Sequence, residues 1–394
     1  MKKKLLFVID SLGIGGAEKS LVTLLNCIDY NKFDVELQLF SRGGAFEKYV
    51  PKEVKFLEIP IYLKFCSKHI FSQLFNFRMT FSRLYYSMIL RLNKKTTHPD
   101  KARLFWHATS NVFFSNNTIY DVAIAYSQGV PTFYVIDKVS ALKKIAWVNS
   151  SLLIKGKTLN FNYRYYNKFN HIVAVSQSAK EILHKNFSNI KYKILVISDI
   201  IDTKFINQLS QEKISDISIS SELPILLTVA RLNNRHKGYD IALEACKILH
   251  QRGVGFTWYA VGEGAYHQEM NKFIKQYNLE DKFILLGAKV NPYPYFRACD
   301  LYVQTSRHEG FGLSIAEARI LNKPVVTTEF DAVWNQMVQG KNGIVVPIDA
   351  IAVADAIQDL IESPEKMKAI SDFQKTEKKG NLEELEKFYK LINS

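Results

Sequence analysis

A chain of 394 residues has the length of two or three domains with sizeable cores. Its 47% hydrophobic and 23% charged residues match an ordinary globular protein and argue against a largely disordered chain. A net charge of +14 favours anionic partners (nucleic acid, anionic lipid or a phosphorylated ligand), and four scattered cysteines without Cys-x-x-Cys spacing argue against a disulfide framework or a zinc site.

Three lysines, Lys2 to Lys4, precede the apolar run Leu5–Ile9, which Asp10 ends. That run is shorter than a signal-peptide core of roughly 7–15 residues and reads as a buried first strand. Gly13-Ile-Gly-Gly-Ala-Glu18 follows it and leads into a helix pattern at Ala17–Cys27. Further strands are expected at Asp34–Phe40, Val54–Ile59, Val122–Ala125, Ile145–Trp147, His171–Val175 and Ile194–Ile197, with a helix at Ala179–Asn186. Between Ile61 and Ser110 the strands stop and the chain turns basic and aromatic. Ile70, Leu74, Phe77, Phe81, Leu84, Met88 and Leu92 recur at helical spacing, with Arg83, Arg91, Lys94 and Lys95 on the other face or at the end. The pattern predicts an amphipathic helix that packs on the domain core, touches anionic lipid, or does both.

A polar stretch at 203–223 reads as a linker, and a fresh strand begins after Pro224. The second half repeats the rhythm, with strands at Ile225–Val229, Thr257–Val261, Phe283–Leu285, Leu301–Val303, Val325–Thr327 and Ile344–Val346. Continuous apolar strands alternating with helices predict an α/β chain of two doubly wound, Rossmann-like domains with parallel sheets. The expected division is residues 1–202 (with the insert 61–110), the linker 203–223, residues 224–375, and a C-terminal helical segment 376–394 packing back on the first domain. Ligands of such sheets bind at the carboxyl ends of the strands, so a site in a cleft between the two domains is expected. No stretch approaches the ~18 apolar residues of a membrane span.

Three segments carry chemistry. Glu309-Gly-Phe-Gly-Leu-Ser-Ile-Ala-Glu317 follows a strand and opens a helix. Gly310 and Gly312 permit close backbone approach, and the helix N-terminus supplies unpaired N–H groups, a natural cradle for phosphate. Carboxylates suit sugar hydroxyls as acceptors, although Ser314 and Glu317 also fit a helix capping box. Ala230-Arg-Leu-Asn-Asn-Arg-His-Lys-Gly238 places Arg231 and Lys237 in a loop after a strand, where cations meet phosphate oxygens. Gly13–Glu18 and Gly262-Glu-Gly264 are glycine turns at strand ends, weak signals taken singly.

Together these segments resemble the retaining glycosyltransferases of family 4, whose fold is GT-B. The resemblance spans essentially the whole chain and is densest from Pro224 to Pro347. The E-x7-E pattern matches Glu309 and Glu317, and the family's arginine and lysine match Arg231 and Lys237. Gly262, Leu286-Gly287, Lys323-Pro-Val-Val-Thr327, Gly340-Lys-Asn-Gly343 and the loop Gly15, Gly16, Ala17, Glu18 match as well. The resemblance implies that Arg231 and Lys237 neutralise a donor diphosphate and that Glu317 holds ribose. Glu309 with Gly310, Phe311, Gly312 and Leu313 would hold the donor sugar, and main chain around Ala288–Asn291, including Val290, the base. Gly15 and Gly16 would close over the diphosphate, and Asn149 stands where the family often carries a histidine in a Trp-x-His context. Asp199 stands where the family usually shows Asn, and amides Asn335 and Gln336 replace a frequent carboxylate.

The expected activity is a retaining, metal-independent transferase without cofactor. It moves a hexose or N-acetylhexosamine from a nucleotide-sugar, UDP preferred, to a lipid-linked or oligosaccharide acceptor in cell-surface polysaccharide synthesis. The expected place is cytoplasmic, peripherally held on an anionic membrane surface. The alternative is a non-catalytic sugar-nucleotide-binding partner of an active transferase, favoured by Asn149. No nucleic-acid-binding motif appears.

Overall fold

A computed structural model of the protein describes residues 2–67, 76–93, 96–149, 153–217 and 223–394. The chain forms two units. The first comprises Met1–Ile200 and Glu383–Ser394, the second Ile201–Leu382.

The first unit opens with β1 (Lys3–Ile9), α1 (Gly16–Cys27), β2 (Phe33–Leu39) and the short β3 (Lys55–Phe56). Among the described residues there follow α2 (Ile61–Cys66), α3 (Phe77–Leu92) and α4 (His98–Thr109). Then come β4 (Asn116–Ala125), α5 (Val130–Lys138), β5 (Val139–Val148), α6 (Gly156–Tyr166), β6 (His171–Ala174), α7 (Gln177–Asn186) and β7 (Ile194–Val196). All seven strands are parallel, in the order β3-β2-β1-β4-β5-β6-β7. The central residues Leu5 to Val8 are fully buried, because helices cover both faces of a parallel sheet. The outer halves of β4 and β5 alternate exposed and covered positions before they enter the core. Those halves carry no continuous apolar run, so the sequence pattern finds only their inner ends.

The second unit contains α8 (Thr203–Leu209), β8 (Ile225–Val229), α9 (Asn234–Lys237), α10 (Tyr239–Gln251), β9 (Thr257–Val261), α11 (His267–Gln276), β10 (Phe283–Leu285) and α12 (Tyr293–Ala298). It continues with β11 (Leu301–Gln304), α13 (Leu313–Ile320), β12 (Val325–Thr328), β13 (Ile344–Val346), α14 (Ala350–Glu362) and α15 (Pro364–Thr376). Its strands are also parallel, in the order β10-β9-β8-β11-β12-β13. The chain winds outward from β8 to β10, then returns beside β8 as β11. The topological switch point therefore lies between β8 and β11, where open α/β sheets bind ligands.

Three expectations need correction. The segment 203–223 is not simply a linker: it opens with α8, whose first turn is capped by Asp202 accepting from the amides of Lys204 and Phe205. The exposed Lys204, Asn207 and Gln208 of this short helix, which buries Ile206, gave that stretch its linker-like composition. The insert holds more than the one amphipathic helix expected: the expected periodicity is α3 over the described residues 77–92, and α4 is started separately by a capping box between Thr97 and Asp100. Ile70, Leu74, Lys94 and Lys95 lie outside the described residues. Third, the apolar stripe of α3 does not pack on the core. Phe77, Phe81, Leu84, Met88 and Leu92 are between 51% and 82% exposed, whereas Met79 and Ser82 face inward.

The last helix, α16 (Glu383–Asn393), belongs to the first unit. Fully buried Phe388 lies against Phe7 and Trp147, with ring centroids 6.3 Å apart in both pairs, and Tyr389 stacks on Phe33 at 5.5 Å. Polar ties fix its ends: Glu384 accepts from the Ser198 amide at 2.9 Å, and Lys3 donates to Asn393 at 2.8 Å. Among the described residues no helix is long and apolar enough to cross a membrane. Phe388→Ala removes a ring from a closed core and is expected to cost about 3–5 kcal/mol of stability. Urea unfolding should show the loss in the first unit, and an unchanged midpoint would mean α16 is dispensable there.

Candidate functional site

The loops at the carboxyl ends of β8, β9, β10 and β11 are stitched into one edge of the second unit. The Leu232 amide donates to the Glu263 carbonyl at 2.9 Å, the Gly262 amide to the Gly287 carbonyl at 2.9 Å, and the Arg307 amide to the His236 carbonyl at 2.8 Å. Two glycines make this possible. A Cβ on Gly262 would lie 1.9 Å from the Ala230 carbonyl oxygen, and one on Gly238 would lie 2.0 Å from that of Thr305. Gly238 also takes a left-handed φ of 63°. The Thr305 hydroxyl donates to the Gly238 carbonyl at 2.9 Å, and Arg307 grips Asp240 through two bonds of 2.8 and 2.7 Å.

This bracing brings Lys237, from the loop after β8, to Glu309, from the loop after β11. Lys237 Nζ lies 2.6 Å from Glu309 Oε1. The same oxygen accepts from Ser306 Oγ at 2.7 Å and Gln304 Nε2 at 3.0 Å. Glu309 is thus held by three donors as a fixed carboxylate. The Lys237 side chain keeps a quarter of its surface exposed, and an ammonium carries three donors, so it can meet a second anion. Arg231 is exposed and makes no ion pair among the described residues. Gly310 and Phe311 are partly covered, Gly312 is buried, and Leu313 begins α13.

The capping box expected between Ser314 and Glu317 is not formed. The N-cap of α13 is Gly312, at φ 85°, and no side chain caps the helix. Ser314 instead donates to the Val229 carbonyl at 3.1 Å, tying α13 to the end of β8. Glu317 is 3% exposed and accepts from Tyr293 Oη at 3.4 Å. The N-terminal amides of α13 are therefore left without a side-chain acceptor, the condition an anion-binding helix end requires. Val290 is half-buried in the loop after β10, which the Gly262–Gly287 bond joins to this edge.

Gln336, marked in the sequence only as a departure from the family's frequent carboxylate, supports the site. Its Nε2 donates to the carbonyls of Phe311 at 2.6 Å and Gly312 at 3.2 Å. Only an amide can do this, because a carboxylate would face two acceptors. Gln304, Ser306 and Tyr293 are known only through their partners.

The remaining candidates lie in the first unit. Gly15 is the N-cap of α1, in extended backbone, and Gly16 is its first residue. A Cβ on Gly15 would meet Glu18 Oε2 at 2.3 Å. Asn149 follows β5; its Nδ2 donates to the Tyr126 carbonyl at 2.6 Å, while its buried Oδ1 has no partner among the described residues. Tyr126 stacks on Trp147 at 4.9 Å and shares a 2.8 Å bond with Ser20, whose hydroxyl also donates to Asp199. Burial pushes the Asp199 carboxyl up to about 6, the Ser20 bond opposing the shift.

With this geometry in view, comparisons are informative. Residues 210–377 match the family described as glycosyl transferases group 1. The N-acetylgalactosamine-N,N'-diacetylbacillosaminyl-diphospho-undecaprenol 4-alpha-N-acetylgalactosaminyltransferase of Campylobacter jejuni is 26% identical over 382 residues, 96% of this chain and 95% of that one. The lipopolysaccharide core biosynthesis glycosyltransferase LpsE of Rhizobium meliloti is 27% identical over 172 residues, 43% of this chain and 48% of that one. Among solved structures, Anabaena HepE in complex with UDP and glucose matches all of both chains at a TM-score of 0.72 and 19% identity. TarM of S. aureus matches all of this chain and 99% of its own at a TM-score of 0.69 and 16% identity. Each unit is Rossmann-like, and the fold is that of these two-domain GT-B proteins.

Two outcomes follow from the bracing residues. Gln336→Glu should loosen the 309–312 loop by the equivalent of about one net hydrogen bond, so that amide hydrogen exchange across 309–313 quickens by about tenfold, read by mass spectrometry. Asp199 has a folded pKa above its ordinary 3.8, so the folded state holds a proton that the unfolded chain releases. Its favourable contribution is complete below pH 3.8 and is lost as pH rises through about 6. Asp199→Asn removes this titration, so its melting temperature should gain on the wild type between pH 4 and 7, by the equivalent of roughly 1–3 kcal/mol. Parallel curves would contradict the assignment.

Proposed function

We propose that this protein is a retaining glycosyltransferase that moves a hexose or N-acetylhexosamine from a nucleotide-sugar, UDP-linked by preference, to a lipid-linked acceptor in cell-surface polysaccharide synthesis. The observation that carries the reading is the Lys237–Glu309 pair at the switch point, beside Arg231 and the uncapped N-terminus of α13. Cations and helix amides suit a diphosphate, and an immobilised carboxylate suits sugar hydroxyls. The match of 210–377 to glycosyl transferases group 1 and the naming of UDP in the HepE complex support a nucleotide-sugar donor. The diphospho-undecaprenol in the name of the Campylobacter relative, and that of the core-biosynthesis enzyme LpsE, support a lipid-linked glycan.

Glycosyl transfer separates an anionic diphosphate from a sugar with oxocarbenium character. Groups already aimed at the developing charge lower that barrier. Arg231, Lys237 and the α13 amides fill this role, and the reaction needs no metal. The anomeric carbon–oxygen bond to the diphosphate breaks as the acceptor oxygen bonds on the same face. The acceptor proton passes to the leaving phosphate oxygen, so Asn149, which cannot take up a proton, is no obstacle. Its Oδ1, without a partner among the described residues, suits a hydroxyl or amide donor. Glu317 holds the ribose, and Gly262 and Val290 flank the nucleotide. The roles of Gly15 and Gly16 at the diphosphate rest on the family resemblance. The non-catalytic alternative has less support, since the residues for phosphate and sugar are all present. The bare apolar stripe of α3 supports a membrane surface as the place where the acceptor is met.

A thermal-shift and hydrolysis screen of UDP-, GDP-, ADP- and TDP-sugars in EDTA tests the reading. Selective stabilisation by a UDP-sugar with slow release of UDP is expected; no shift with any donor would overturn it. Glu309→Gln should lower kcat by about 10²–10³-fold. Near-full turnover would remove the role given to its charge, and an inverted anomer in the product would exclude retention.

A further inference from the structure

Helices α4 and α6 of the first unit lie side by side, joined where Arg103 Nε donates to Thr158 Oγ1 at 3.0 Å. Between them is a depression of about 330 Å³ lined by Arg103, His107, Lys157, Asn160, Phe161 and Arg164. Arg103 and His107 are four residues apart on α4, and Lys157, Phe161 and Arg164 share a face of α6. No carboxylate lines the depression. The nearby acids are engaged by other donors, although Asp100 also feels the charge of Arg103 across their shared Thr158 hydroxyl. Asp100 accepts from the Thr97 amide, the Thr97 hydroxyl at 2.6 Å and Thr158; Asp137 accepts from Trp106 and Tyr165, both at 2.8 Å. The chain carries no Asp or Glu at 101–120 or 138–180. Arg103, His107, Lys157 and Arg164 thus converge without an ion-pair partner among the described residues. Arg164 lies 5.5 Å from the Phe161 ring centre, giving the depression an apolar wall beneath its cations.

Asp100 offsets part of the charge at Arg103, and the positive excess that remains across Arg103, His107, Lys157 and Arg164 is self-repulsive unless an anion joins it. The choice of anion follows from the other side of α4. There α3 packs against it, Tyr86 meeting Phe105 edge-on at 5.1 Å, and presents outward the stripe of Phe77, Phe81, Leu84, Met88 and Leu92. One helix therefore braces both a bare apolar stripe and a cationic pocket, the pairing that an acyl boundary and its phosphates require.

We propose that the pocket between α4 and α6 binds the phosphate of an anionic membrane lipid while the α3 stripe enters the acyl boundary. The choice of a lipid source rests on the membrane reading above; the donor chemistry of the second unit is independent of it.

The test is co-sedimentation of the full chain with phosphatidylcholine vesicles, with and without phosphatidic acid. Phosphatidic acid should strengthen binding. Replacing Arg103, Lys157 and Arg164 together by Gln should abolish that gain, roughly fivefold per charge and on the order of 100-fold for three. Asn160→Trp keeps every cation but fills the depression, and should also lose most of the gain. If it binds like wild type, diffuse charge suffices and the pocket is wrong. If the triple variant binds like wild type, the proposal fails outright. Inorganic phosphate that raises the melting temperature, without any vesicle preference, would transfer the pocket to a free anion and overturn the lipid source. All variants should retain the thermal shift with the donor, which shows that they fold. Loss of lipid binding with no donor shift even in wild type would overturn the transferase reading and leave the pocket standing.

Discussion

Everything at the candidate site depends on two loops touching at the switch point of the second sheet. Gly238 has no Cβ, so its backbone can press against the carbonyl of Thr305. That contact sets Lys237 beside Glu309, and the neighbouring Arg307–Asp240 bonds keep it rigid. A side chain at 238 would have to push a backbone carbonyl aside, and the cation and the carboxylate would part. The ion pair itself is of modest energetic value; its use is to hold charge in place before a ligand arrives.

The same edge keeps polar groups uncapped. Ser314 lies inside α13 rather than at its N-cap, which is Gly312, and its hydroxyl ties the helix to the Val229 carbonyl. Glu317 is buried against Tyr293. With glycine at the N-cap, the first amides of α13 have no side-chain acceptor among the described residues, while Gln336 steadies the loop before it by donating to the Phe311 and Gly312 carbonyls. Each of these choices leaves donor groups unspent where an anion can use them.

The first unit uses cations differently. In the second unit Lys237 is paired and aligned; around α4 and α6 the cations form no ion pair among the described residues and border an aromatic wall. The α3 helix, anchored through Met79 and Tyr86, turns its larger apolar residues outward. A strong net positive charge thus resolves into one organised site and one open surface, with different physical demands on each.

Strands buried on both faces were legible from sequence, because continuous apolar runs such as Leu5–Ile9 and Ile225–Val229 report burial directly. The outer ends of β4 and β5 were not, because half-exposed positions erase that run. Arg231, Lys237, Glu309 and the glycines of the 310–312 loop were legible as residue types at strand ends. Their supports, Gln304, Ser306, Tyr293 and Gln336, were not, because hydrogen bonds between distant segments leave no spacing to read. The amphipathic period of α3 was evident, but a period states only that one face is apolar. Whether that face is covered depends on what packs beside it, and only the tertiary structure decides that, by leaving the stripe bare.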